Sequence, residues 1–95
     1  MSLTATQKRY LRGLCHDLRP IVAIGKHGIT PAVLLELSTA LDHHELVKVK
    51  LAGEVRKEQI GQIEHGTEAI LVQSVGHVAC FFRRNEKQPR LALPR

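Results

Sequence analysis

The spacing of apolar residues changes repeatedly along the chain, and each change marks a new element. After Thr4-x-x-Gln7, which has the form of a capping box, Tyr10, Leu11, Leu14, Cys15 and Leu18 recur at intervals of three and four residues. That period predicts an amphipathic helix ending before Pro20. Ile21 to Ile24 is short, apolar and rich in β-branched residues, as a buried strand is. A second helical period follows in Val33, Leu34, Leu37, Ala40 and Leu41, with Thr30 as N-cap and Pro31 at the first helical position, where its missing N–H costs nothing. It runs down near Asp42-His43-His44. Between Glu45 and Leu51 the period drops to two, so Val47, Val49 and Leu51 share one face of a strand and Lys48 and Lys50 the other. From Glu54 to His65 the pattern thins to Val55, Ile60 and Ile63, with Gly61 inside it, and predicts a short third helix stopped by Gly66. Residues 69–75 and 78–84 read as two strands joined by a turn at Val75-Gly76-His77-Val78. The tail after Asn85 is expected to be loosely held.

The predicted order is αβαβαββ. Alternating helices and strands imply crossover connections, and the closing hairpin adds an antiparallel pair, so the expected fold is a compact α/β domain with a mixed four-stranded sheet packed by helices. A chain of 95 residues with 43% apolar content suits one domain, 1–95, around a single core.

Charge then shifts attention to the polar positions. Lysine and arginine number 14 against 9 acidic residues, giving a formal charge of +5 and a pI near 9.7, which favours polyanions: nucleic acid first, an anionic membrane surface second. No apolar run approaches the roughly 20 residues of a membrane-crossing helix, and the first residues lack the basic-then-apolar plan of a signal peptide, so a cytoplasmic location without membrane attachment is expected. Along the first helix, Lys8, Arg12, His16 and Arg19 follow one another at intervals of four, four and three and form a narrow stripe. An ordinary solvated face and a phosphate-tracking stripe fit that pattern equally well.

The chemistry concentrates in Gly25-Lys26-His27-Gly28, between the first strand and the second helix. Glycine lets backbone approach a ligand, a helix N-terminus offers N–H donors at the positive end of its dipole, and Lys26 adds a mobile cation. The spacing fits neither a P-loop nor a dinucleotide fingerprint, so no nucleotide cofactor is implied. Only Tyr10, Phe81 and Phe82 are aromatic, which argues against base stacking and for contact with backbone or shape. One of the two phenylalanines should be core, and a second covered face is the commoner place for the other. Arg83 and Arg84 are explained as well by edge protection as by ligand binding. His43 and His44 point in different directions and have no further ligands at metal spacing. Cys15 and Cys80 read as two buried free thiols with no disulfide or zinc framework. No spacing assembles a nucleophile, base and orienting group, so an enzyme is not expected.

Several stretches in order resemble one family: Leu11-Arg12-Gly13-Leu14, Leu18-Arg19-Pro20-Ile21-Val22, Ile24 to Thr30, Leu41 to Lys50, Val72 to Gly76, and the closing Leu91-Ala92-Leu93-Pro94. This is similar to the CRM domain, in particular the bacterial single-domain YhbY-like proteins. The resemblance implies a fold like the C-terminal domain of bacterial translation initiation factor three, and RNA binding through a glycine-framed loop like that of KH domains. It also implies association with precursors of the large ribosomal subunit. Carried over, the loop is Gly25, Lys26, His27 and Gly28. Thr30 would orient the helix, Lys8, Arg12 and Arg19 would extend the electropositive surface, and Lys48 and Lys50 are weaker candidates. Large-subunit rRNA or its precursor is the expected partner of a monomer. The alternative is an adaptor that docks on ribosomal proteins, its RNA affinity incidental. If the His27 imidazolium touches phosphate, affinity should rise as pH falls through about 6.5.

Overall fold

A computed structural model describes residues 2–95. Helix α1 spans Ala5–Cys15, strand β1 Pro20–Ala23, helix α2 Pro31–His44 and strand β2 Leu46–Lys50; a 3-10 turn at Gly53–Val55 leads into helix α3, Arg56–Thr67, and strands β3, Ile70–Val75, and β4, Val78–Phe82, close the order. The sheet runs β1-β2-β4-β3, with β1 parallel to β2 and the other pairs antiparallel, so the expected mixed four-stranded sheet is present.

Both faces of the sheet are covered, which follows from the alternation along its strands. Val47, Val49, Ala79 and Phe81 meet Leu37 and Leu41 of α2 and Ile60 and Ile63 of α3. Leu46, Cys80 and Phe82 point the other way, where Leu11 and Cys15 of α1 cover them. Phe81 and Phe82 are therefore both core, and neither is free to stack on a base.

Three expectations need correction. The third helix does not stop at Gly66. It continues to Thr67 and ends on Glu68 in the left-handed conformation, φ 61°. Gly66 serves packing instead: a Cβ there would lie 2.8 Å from the side chain of Leu34 on α2. The shortage of apolar residues in α3 is met by polar side chains turned inward. Gln59 accepts the Ala52 N–H at 3.0 Å, and the Thr67 hydroxyl donates to the Ile63 carbonyl at 2.7 Å and accepts from the Ala69 N–H at 3.2 Å. Each buried polar group is thereby paired.

The tail is not loose. Glu45, fully buried just past the end of α2, accepts backbone N–H groups of Asn85 at 2.7 Å and Leu91 at 2.8 Å, and that of Arg90 besides. Leu91 and Leu93 then pack beside α1, and Gln7 donates to the Pro94 carbonyl at 3.0 Å. Burial alone would push the Glu45 carboxyl up; the amides of Asn85, Leu91 and Arg90, with the Arg84 guanidinium, outweigh it and hold it below its ordinary value.

Arg83 and Arg84 protect no edge, because β4 is an interior strand. Arg83 reaches the Ser38 hydroxyl and carbonyl, the Thr67 carbonyl and Asp42, at 3.0, 2.7, 2.9 and 2.8 Å, tying α2 to the end of α3. Arg84 donates to the Leu91 carbonyl at 2.7 Å and lies 3.4 Å from Glu45. Both cations are structural.

Candidate nucleic-acid interface

The Gly25–Gly28 loop is a closed turn on two apolar anchors. Ile24, buried, donates its N–H to the Lys50 carbonyl at 2.9 Å, which holds the approach to the loop against β2. Ile29 packs on the core below α2 and holds the exit. Between them the Gly28 N–H donates to the Gly25 carbonyl at 3.0 Å, so Lys26 and His27 stand at the tip, exposed. The two glycines have different reasons to be there. Gly28 lies at φ +69°, a left-handed conformation that a Cβ disfavours. Gly25 has ordinary dihedrals and open space where a Cβ would go, so its bareness exposes backbone and answers no conformational need.

Thr30 caps α2 as expected, its hydroxyl accepting the Val33 N–H at 3.1 Å, with Pro31 in the first turn. The same cap removes donors from the helix end. Pro31 has no N–H, Val33 is satisfied by Thr30, and Leu34 bonds the Thr30 carbonyl at 3.0 Å, so among the described residues Ala32 alone keeps an unpaired amide in the first turn. The loop supplies the others. Among the described residues, no protein acceptor meets the amides of Lys26, His27, Ile29 and Thr30. The unpaired donors thus come mainly from the turn, with the helix terminus adding its dipole and one amide.

Several cations gather at this end of the sheet. Lys50 pairs with Ala23 at the end of β1, and the β3–β4 turn is fastened beside it: Leu51 N–H donates to the His77 carbonyl at 2.6 Å, and Arg56 to that of Gly76. Lys48, two residues before Lys50, shares its face of the sheet and lines a cavity with His16 at the end of α1. Neither Lys26, Lys48 nor Lys50 has an acidic partner among the described residues. Of the two weaker candidates in the sequence, Lys50 therefore lies beside the approach to the loop, and Lys48 lies farther back along β2, beside His16 of the stripe.

The stripe itself diverges. Arg12 and His16 lie toward the C-terminal end of α1, where Cys15 comes down on Cys80, while Lys8 belongs to its first turns, near the tail. Arg19 precedes β1 and lines a groove with His43, His44 and Arg90, at the C-terminal end of α2. Roughly 20 Å of extended chain separates it from the loop. Spacing on one helix could not show this, since residues 16–19 leave the helical path.

One further grouping escaped the sequence reading. Cys15 and Cys80, distant in the chain, face each other between α1 and β4. Two clusters of apolar residues flanking single cysteines carry no signal of their contact.

Comparison with known proteins agrees with this architecture. Residues 3–83 match the CRS1 / YhbY (CRM) domain. A Haemophilus influenzae protein named RNA-binding protein is 42% identical over 97 aligned residues, covering 99% of this chain and 97% of its own length. The Pseudomonas aeruginosa relative PA4753 is 38% identical over 90 residues, covering 92% of this chain and 86% of the relative. The solution structure of the Staphylococcus aureus hypothetical protein SAV1595 superposes with a TM-score of 0.80 at 33% identity, spanning 98% of this chain and 100% of that one. On the sequence match and the shared fold together, the chain belongs to the CRS1 / YhbY (CRM) domain family.

Proposed function

We propose that this protein is a non-enzymatic RNA-binding module that grips phosphates with the Gly25–Gly28 loop. The observation that carries the reading is the loop's set of unpaired amides, at Lys26, His27, Ile29 and Thr30, around two exposed basic side chains. Lys26 supplies a fixed charge, Gly25 leaves backbone bare, Gly28 closes the turn and Thr30 fixes the helix behind it. Lys48 and Lys50 extend the surface from the loop across the sheet, with Arg12 at its margin; Lys8 and Arg19 add long-range field. Such contacts position RNA without reading its sequence. The name of the Haemophilus relative supports RNA as the ligand. The family resemblance supports the finer assignment, a cytoplasmic monomer that associates with large-subunit rRNA precursors and assists their assembly.

The test is RNA affinity across a salt series, with a structured large-subunit rRNA fragment, for wild type and for Lys26→Glu with His27→Asp. Each phosphate contact contributes slightly under one unit to the slope of log K against log salt, so the double variant should bind more weakly, with a slope shallower by about one to two. Circular dichroism should show both proteins equally folded. Unchanged affinity and slope would remove the loop from the interface and favour the adaptor reading, in which ribosomal proteins are the partner and RNA affinity is incidental.

A further inference from the structure

Beneath the C-terminal end of α1 lies a cavity of about 190 Å³, lined by Cys15, His16, Lys48, Gln73, Val75, Val78 and Cys80. The sheet register explains the gathering. Cys80 on β4 stands between Lys48 on β2 and Gln73 on β3, and cross-strand partners share a face. Cys15, in the last turn of α1, is lowered onto that face, so the two thiols line one cavity and pack in one cluster; both are free and buried. The cavity has room for a small molecule the size of water or hydrogen peroxide.

We propose that Cys15 and Cys80 form a redox-active dithiol that closes to an intramolecular disulfide when a hydroperoxide enters this cavity. Cys80 is the attacking sulfur. Its cross-strand partner Lys48 sets an ammonium on the same face, which favours the Cys80 thiolate. The Cys80 thiolate attacks one peroxide oxygen, the O–O bond breaks, and the product is a Cys80 sulfenic acid with hydroxide, which takes up a proton as water. Cys15, losing its proton, then attacks the Cys80 sulfur; the S–S bond forms, the S–O bond breaks, and the second oxygen leaves as water. Two thiols and one peroxide thus give a disulfide and two waters, with two electrons passing from sulfur to oxygen. The bond would staple α1 to β4 beside Lys48. The site needs none of the loop residues and shares only Lys48 with the proposed RNA surface.

The experiment treats the folded wild-type chain with hydrogen peroxide and follows free thiols, intact mass and mobility on non-reducing gels. The expected result is loss of both thiols, a mass lower by two hydrogen atoms, a monomer on the gel, and full recovery with dithiothreitol. Cys15→Ala should stop the sequence at the sulfenic acid, trapped by dimedone on Cys80, and Lys48→Met should slow closure several-fold. Thiols that stay titratable, a dimer linked between chains, or a stable product carrying added oxygen in the wild type would each overturn the proposal. The wild-type readouts decide it even if the alanine variant fails to fold.

Discussion

Two basic pairs, Lys26-His27 and Arg83-Arg84, look alike on paper and do opposite things. The guanidinium groups of the second pair are consumed inside the molecule, on Ser38, Asp42, Thr67, Glu45 and Leu91. Among the described residues, the side chains of the first meet no acidic partner, and the amides of Lys26 and His27 at the tip of their turn are unpaired as well. What separates them is where acceptors lie. Arg83 and Arg84 leave an interior strand next to exposed helix-end carbonyls and a buried carboxylate, which need donors; Lys26 and His27 leave a turn surrounded by donors, where a second anion-seeking group has nothing to bind within the fold. A cation inside a network of acceptors is structure. A cation among unpaired donors is available to a polyanion.

The largest expected effect tests the structural half of that contrast. Removing Arg83 (Arg83→Ala) leaves the Thr67 and Ser38 carbonyls and Asp42 without their donor, and removing Glu45 (Glu45→Ala) strands the tail amides; each should cost about 3 kcal/mol in denaturant unfolding. Substituting Lys26 or His27 by alanine should shift stability by no more than about 0.5 kcal/mol. Acid should find the same place. Because the folded Glu45 carboxyl lies below its ordinary value of 4.5, its contribution is fully present above that value and is lost as pH falls through the folded one. Wild type should therefore show a steeper acid loss of stability than Glu45→Gln, with hydrogen exchange rising first at Arg90 and Leu91. Parallel acid limbs would mean the carboxylate is not what holds the tail.

A smaller effect separates the two glycines of the loop. Gly28→Ala forces a Cβ into the left-handed region and should cost about 1–2 kcal/mol of stability. Gly25→Ala meets no atom and no unfavourable dihedral, so unfolding should change by less than about 0.5 kcal/mol. If backbone approach at Gly25 matters for ligand, that silent variant should nonetheless weaken RNA binding several-fold at a fixed salt concentration. Equal stability losses in the two variants would erase the distinction between a glycine kept for conformation and one kept for access.

What the sequence disclosed and what it hid follow one rule. The capping box at Thr4, the Thr30-Pro31 start of α2, the period-two run of β2 and the Gly76 hairpin are set by neighbours within a few residues, and each was legible. The glycine-framed turn between β1 and α2 was legible from its own residues in the same way. The Glu45 clamp, the Arg83 bridge and the Cys15–Cys80 contact join residues far apart in the chain through single polar atoms, and neither period nor propensity encodes such pairs. The stripe of Lys8, Arg12, His16 and Arg19 failed halfway for a related reason: helical spacing holds only while the helix lasts, and α1 ends at Cys15.

The end of α3 offers the finest test, because it opposes local preference to packing within one helix. Gly61 faces solvent with nothing near its missing Cβ, so Gly61→Ala should gain the helix-propensity difference, about 0.5–1 kcal/mol. Gly66 would gain the same amount locally, but its Cβ would press on the two terminal carbons of Leu34, both at 2.8 Å. Leu34 is half-buried between α2 and α3 and must turn away, giving up contact with its neighbours, so Gly66→Ala should fall about 1 kcal/mol below Gly61→Ala in thermal or denaturant unfolding. Adding Leu34→Ala to each should close most of that gap by removing the obstructing carbons. If the two glycine variants gain equally with Leu34 intact, the close approach of the helices is not what keeps a glycine at position 66, and the reading of that residue as a simple helix breaker returns.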